Sequence, residues 1–401
     1  MNEAEMTIPH LFRCPISLDL FEDPVTLCTG QTYDRSSIER WLAQGNLTCP
    51  VTMQKLHDLS IVPNHTLRHL IDQWLQLYPQ FGHFGDSKTI DSLASLKRTL
   101  QSQESSFQNK LQALEKINLL SDEYFSFKKS CFLQLGFLPL LLGLVFGAQI
   151  FKEQHHHLEF IELALSCIIK LLPLDTTSEP LNMLKQEPNF QSYLVLFEKG
   201  SPNIKTSLCN LIDSAATAHL EEVLLMLGNS QKLLNEIVHL ASQNNCEASR
   251  AAIRAISALC SLQSNRENLV IAGAINGIMR YISGCETREK NLAPLGMQII
   301  EKLLVIERGK EALVNSPNGI QTLVKMVFRV SNHECSENAV GLLITVCRES
   351  GRAREEAIEE GVLTQLLLLL QSQCSAKTKT KARILLKLLR SKWAENVAKQ
   401  A

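Results

Sequence analysis

The chain has 401 residues, 45% apolar and 20% charged, with a formal net charge of −1. That length leaves room for two or more domains, the composition is that of a soluble globular protein, and near-neutrality without a basic stripe argues against a nucleic-acid partner. Twelve cysteines are scattered with no C-x-x-C anywhere, which removes zinc ribbons and thiol redox motifs and leaves reduced core residues of a cytosolic or nuclear protein. Residues 1–6 carry neither the basic nor the apolar region of a secretory leader.

Residues 7–78 form the first predicted domain. Residues 1–78 carry five Lys/Arg against nine Asp/Glu. Pro24-Val25-Thr26-Leu27 and Gln31-Thr32-Tyr33 flank a Thr29-Gly30 turn and predict a small hairpin. A helix is expected to start near Asp34, Ser36 or Ser37 and to run through Ile38 and Trp41 to Gly45. Asn64 can cap a second helix with Leu67, Leu70, Ile71, Trp74 and Leu75 on one face. Residues 79–89, with the breaker-rich run Pro79–Ser87, read as a linker.

From 90 to 395 the pattern is helical. Residues 132–151 contain no charge, yet Gln134, Pro139 and Gln149 interrupt them, so a buried repeat helix is expected rather than a membrane span. His155-His156-His157 reads as a solvated turn, because three adjacent side chains do not converge. Arg266-Glu267-Asn268-Leu269-Val270 recurs as Lys310-Glu311-Ala312-Leu313-Val314 and as Arg354-Glu355-Glu356-Ala357-Ile358, in steps of 44 residues. A weaker copy lies at Glu222–Leu225. Each strong copy precedes a Gly- or Pro-marked break and further helix, as in 309–315, 319–330 and 333–348. Three helices per unit favour armadillo repeats, roughly six in all, stacked into one core with a long groove. The cationic run from Lys377 to Lys392, interspersed with Leu385, Leu386, Leu388 and Leu389, reads as the polar face of a terminal capping helix.

A further set of residues carries a resemblance. Phe12-Arg13-Cys14-Pro15-Ile16-Ser17, Asp23-Pro24-Val25, Thr29–Arg35, Ile38, Trp41, Cys49-Pro50-Val51-Thr52 and Pro63-Asn64 stand in an order that closely resembles the U-box family, and a U-box followed by armadillo repeats is similar to the plant U-box ligases. The implied fold is a small α+β U-box, RING-like and metal-free, followed by an all-α armadillo-repeat solenoid. Cys14, Cys28 and Cys49 with His10, His57, His65 and His69 show no ligand spacing, and the resemblance implies a cross-brace held by hydrogen bonds and ion pairs instead. Glu22, Asp23, Asp34, Arg35 and Ser36 are the candidates.

The resemblance implies a ubiquitin ligase with no catalytic residue and no cofactor of its own. A ubiquitin-charged conjugating enzyme would dock on Ile16, Leu18, Phe21, Trp41, Pro50 and Val51, although Leu18, Phe21 and Val51 read equally as core. The repeats would hold a protein substrate in their groove, with a membrane role unexpected and a stress or immune pathway implied only by kinship. Many active members carry a cation just after the Pro-x-x of the second loop, bridging ubiquitin and the conjugating enzyme. Here Met53 stands there, with Gln54 and Lys55 as substitutes. A non-catalytic armadillo scaffold is the rival expectation.

Overall fold

The computed structural model describes residues 8–77, 87–123, 132–133, 135–147, 156–172, 180–243, 246–284, 292–329 and 333–400. The chain divides into two compact units, Met1–Ser95 and Leu96–Ala401.

In the first unit the predicted hairpin forms from β1 (Pro24–Thr26) and β2 (Thr32–Asp34), antiparallel with Val25 opposite Tyr33. Gly30 takes φ 79°, a left-handed conformation in which a Cβ would be strained. A third strand, β3 (Val62–Pro63), pairs with the other edge of β1, giving the order β2-β1-β3. Two residues, one of them proline, carry no alternation for a sequence pattern to register.

Helix α1 spans Arg35–Ala43 with Asp34 at its N-cap, but the Asp34 carboxylate does not cap it. Helix α2 (His65–Leu77) begins where Asn64 accepts a hydrogen bond from the Leu67 N–H at 3.0 Å, satisfying a first-turn donor. Of the expected apolar face, Ile71 is buried and Leu67 packs on the core, but Leu70 is half exposed. The core gathers Cys14, Phe21, Val25, Leu27, Tyr33, Ile38, Cys49, Leu56 and Ile71.

The second unit is helical throughout its described residues. Helix α3 (Ser87–Gln101), which takes in residues 87–89 of the expected linker, begins in the first unit and ends in the second, where α4 (Phe107–Glu123) follows. The uncharged stretch yields α5 (Phe137–Phe146), with Phe137, Leu138, Leu141, Leu142, Val145 and Phe146 buried. Residues 148–151 lie outside the described residues. No helix among the described residues is long and apolar enough to cross a membrane. Helix α6 (His156–Leu171) begins inside the triple histidine, so His156 and His157 open a helix rather than a turn, and His155 lies outside the described residues. Helices α7 (Glu187–Lys199) and α8 (Pro202–Thr217) follow.

The periodicity then becomes geometry. Units of three helices run α9 (Glu221–Asn229), α10 (Gln231–Ala241), α11 (Cys246–Cys260), then α12 (Arg266–Ile271), α13 (Ala274–Ser283), α14 (Ala293–Leu303), then α15 (Glu307–Val314), α16 (Gly319–Val327), α17 (His333–Glu349), and last α18 (Gly351–Glu359), α19 (Val362–Gln371), α20 (Ala376–Gln400). Leu269, Leu313 and Ala357, one step of 44 apart, are fully buried. Third helices stack in series, α8 on α11, α11 on α14, α14 on α17 and α17 on α20. Polar rungs recur at the same step: Arg254 Nη2 donates to Asn210 Oδ1 at 3.1 Å, and Lys381 Nζ to Glu337 Oε1 at 3.1 Å.

In the last three units the break before the second helix is a left-handed residue: Gly273 (φ 80°), Asn318 (φ 59°) and Gly361 (φ 81°). In the middle one of these breaks the glycine, Gly319, stands one residue after the left-handed position. Asn318 tolerates the left-handed turn. Gly319 is kept for space, because a Cβ there would sit 2.8 Å from the Leu313 carbonyl oxygen.

Candidate functional site

Two loops of the first unit have the same construction. In the first, the Leu18 N–H donates to the Cys14 carbonyl at 2.8 Å and the Cys14 N–H to the Asp19 carbonyl at 2.8 Å. In the second, the Met53 N–H donates to the Cys49 carbonyl at 2.9 Å and the Cys49 N–H to the Gln54 carbonyl at 2.8 Å. Phe21 with Phe12, and Leu56 with Leu47, close the two loops by one further bond each. Cys14-Pro15-Ile16-Ser17-Leu18 and Cys49-Pro50-Val51-Thr52-Met53 therefore match residue for residue. The fifth residue of each is left-handed without being glycine, Leu18 at φ 63° and Met53 at φ 58°. Strain of this kind persists only where the surroundings hold it.

Beneath the first loop sits Asp34. Its Oδ1 accepts from the Glu22 and Asp23 N–H groups, both at 2.9 Å, and its Oδ2 accepts from Ser36 Oγ at 2.9 Å. The Asp34 N–H donates to Cys14 Sγ at 3.2 Å. Arg35 Nε contacts Asp23 Oδ2 at 2.6 Å, and the Arg35 N–H donates to the Asp23 carbonyl at 2.9 Å. Four of the five expected staple residues thus use their side chains, whereas Glu22 takes part only through its N–H.

Beneath the second loop sits Cys49. Thr29 Oγ1 donates to its Sγ at 3.4 Å, and Tyr33 Oη lies 3.0 Å from it. The Val51 N–H donates to Tyr33 Oη at 3.2 Å. Burial works against ionisation of Cys49, but hydrogen bonds from Thr29, Thr52 and Tyr33 outweigh it and bring the thiol down to about 6. Burial and the Cys49 contact push the Tyr33 phenol well up. Cys49 is nonetheless fully buried, as is Cys14, so neither sulfur is presented to an incoming thioester.

The expected contact residues divide in two. Leu18 is 68% exposed and Val51 51% exposed. Ile16 and Trp41 are half-buried, packed on the core from above, and Pro50 is half-buried. Trp41 Nε1 donates to the Thr48 carbonyl at 2.8 Å, which ties α1 to the second loop. Of the three residues that read equally as core, Phe21 is the one that is core: 5% exposed, it closes the first loop from inside and leaves the contact set. Met53 is 72% exposed, and Gln54 and Lys55 are exposed beside it.

Sequence reasoning missed two features. Asn64 also donates from Nδ2 to Thr26 Oγ1 at 3.3 Å and to Thr32 Oγ1 at 3.2 Å, joining α2 to the sheet. The hydroxyl nest around Cys49 was likewise unread. The recurrence of Cys-Pro-x-Ser/Thr after 35 residues, from Cys14 to Cys49, was the available signal for two equivalent loops.

Residues 8–78 match the U-box domain model, and residues 89–400 match the model of the plant U-box protein ARM repeat region. U-box domain-containing protein 26 of Arabidopsis thaliana is 32% identical over 97% of this chain and 93% of its own length. E3 ubiquitin-protein ligase PUB23 of the same plant is 28% identical over 98% of this chain and 95% of its own.

Proposed function

Because the chain belongs to the plant U-box proteins that carry an ARM repeat region, we propose that it is an E3 ubiquitin-protein ligase of the cytosol or nucleus. The observation that carries this reading is the pair of equivalent loops, which hold Leu18 and Val51 out to solvent around Ile16, Trp41 and Pro50. Exposed apolar side chains on strained, hydrogen-bonded loops favour a protein partner. That partner is a ubiquitin-charged conjugating enzyme.

The transfer needs no covalent step on this chain. A substrate lysine amine attacks the thioester carbonyl, the carbon–sulfur bond breaks, and the conjugating enzyme's thiolate leaves. The U-box restrains the thioester while the repeats, residues 90–395, hold the substrate, so the gain is one of positioning. The buried Cys14 and Cys49 support a route without an enzyme-bound ubiquitin.

Self-ubiquitination with a purified conjugating enzyme tests the proposal on Ile16→Ala and Val51→Arg. Loss of a central apolar anchor costs about tenfold or more. Val51 is exposed, so that variant keeps the fold if Ile16→Ala does not. Full activity in both variants would refute the docking surface. One observation favours a second reading, a non-catalytic armadillo scaffold: Met53 places a thioether where a bridging cation is expected. Absence of transfer by the unaltered protein would support it.

A further inference from the structure

Helices α19 and α20 expose part of the face that the corresponding helices of earlier repeats bury. Among the described side chains of α20 the buried ones, Thr378, Ala382, Leu385 and Leu389, repeat Cys335, Ala339, Leu342 and Val346 of α17 at a constant offset. On that register the buried Val340 corresponds to Arg383, Leu343 to Leu386 and Cys347 to Arg390. Arg383 and Arg390 are exposed, and Leu386 is half-buried. A solenoid ends by placing cations where the next unit would lie, as a polar cap requires.

Helix α19 does not follow that rule. Its left-handed Gly361 aligns it with α16 at Asn318 and with α13 at Gly273. Met279 and Val324 are each 2% exposed, and the aligned Leu367 is 54% exposed. Ile275 and Ile320 are buried, and the aligned Leu363 is only half-buried. Leu368, aligned with the solvent-facing Arg280 and Lys325, is 40% exposed and apolar as well. The terminal surface is therefore half cap and half open interface: leucines along α19 beside guanidinium groups on α20.

We propose that this surface binds an amphipathic helix of a partner protein, with leucine-type side chains on one face and carboxylates along its flank, lying where the next repeat's helices would lie. The exposed leucines supply the apolar contact, and the arginines select the charge. Lys377 and Lys381 are already engaged by Glu337 at 2.7 and 3.1 Å; Arg383 and Arg390 stand exposed where α17 buries Val340 and Cys347, and with Lys379 and Lys387 of the same helix they set the preference. Glu359 and Glu360 are exposed at the end of α18, just before α19 begins. Their charge disfavours an anionic lipid surface spread over the whole end and favours a narrow ligand.

The test uses the full chain and a labelled designed helix of about 18 residues, with leucines at i, i+3, i+4 and i+7 flanked by glutamates, read by fluorescence anisotropy. A twin helix with lysines in place of the glutamates, and vesicles of phosphatidylserine and phosphatidylcholine, are run beside it. The acidic helix should bind and the lysine twin should not. Leu367→Ser should weaken binding about tenfold or more. Arg383→Glu with Arg390→Glu should exchange the preference toward the lysine twin, which places the ligand on this surface. Unchanged self-ubiquitination and melting of the variants show that the array stands. Failure of the acidic helix to bind overturns the proposal, and so does binding that none of the variants affects. Vesicle binding lost on the arginine reversal, or a chain dimer dissolved by Leu367→Ser, would overturn it in favour of a membrane or a second copy.

Discussion

Asp34→Ala should unfold the first unit at much lower denaturant while leaving the repeats intact. The carboxylate is 9% exposed and accepts three hydrogen bonds, two of them from the N–H groups of Glu22 and Asp23. Alanine strands both donors beneath the first loop, at about 1–3 kcal/mol each, whereas the Ser36 hydroxyl can turn to water. The expected loss is about 3–4 kcal/mol. A domain of this size commonly has about 3–10 kcal/mol in total, so the effect is severe.

Asp34→Asn separates charge from geometry. Its amide oxygen can still accept both N–H bonds, now without charge assistance, and the cost falls to about 1–2 kcal/mol. Urea unfolding followed by tryptophan fluorescence reads this directly, since Trp41 and Trp74 belong to this unit and only Trp393 lies elsewhere. The midpoint should fall in the order wild type, Asn, Ala, with the slope unchanged. An alanine variant as stable as wild type, or an asparagine variant as damaged as alanine, would refute the role given to Asp34.

Met53→Arg should raise single-turnover ubiquitin discharge about tenfold, because a guanidinium supplies the donors a thioether lacks, in a contact worth about 1.5–3 kcal/mol. If Lys55 already bridges, Met53→Arg is neutral and Lys55→Ala is damaging; no effect from either removes bridging from this protein. Cys49 has a folded pKa of about 6, below an unfolded thiol's ordinary value of about 8.5. Its contribution is thus fully present above the unfolded value and disappears as pH falls through about 6. Wild type should gain stability between pH 6 and pH 8.5 relative to Cys49→Ala, and parallel pH profiles would contradict the hydroxyl nest. Asn318→Val should destabilise the repeats by about 1–2 kcal/mol, since a β-branched residue pays for the left-handed conformation. Asn318→Gly should be near neutral, and equal melting of all three would show that the turn is not fixed.

Sequence alone determined the elements whose signals are local. The Thr29-Gly30 hairpin, the Asn64 cap and the 44-residue period each rest on neighbours in the chain, and the helices of the last three units fall where the period put them. The ordered U-box residues point to the two loops proposed as the docking surface for the same reason. What only the tertiary structure decided was burial, because it depends on what packs opposite. Phe21 and Leu18 are apolar residues three positions apart in one loop, and a pattern gives no ground for choosing between them. The loop's hydrogen bonds turn Phe21 into the core and leave Leu18 at a left-handed residue facing solvent. The same holds at the far end of the chain. Val324 and Leu367 occupy one register position, yet Val324 is buried beneath its neighbours and Leu367 is exposed.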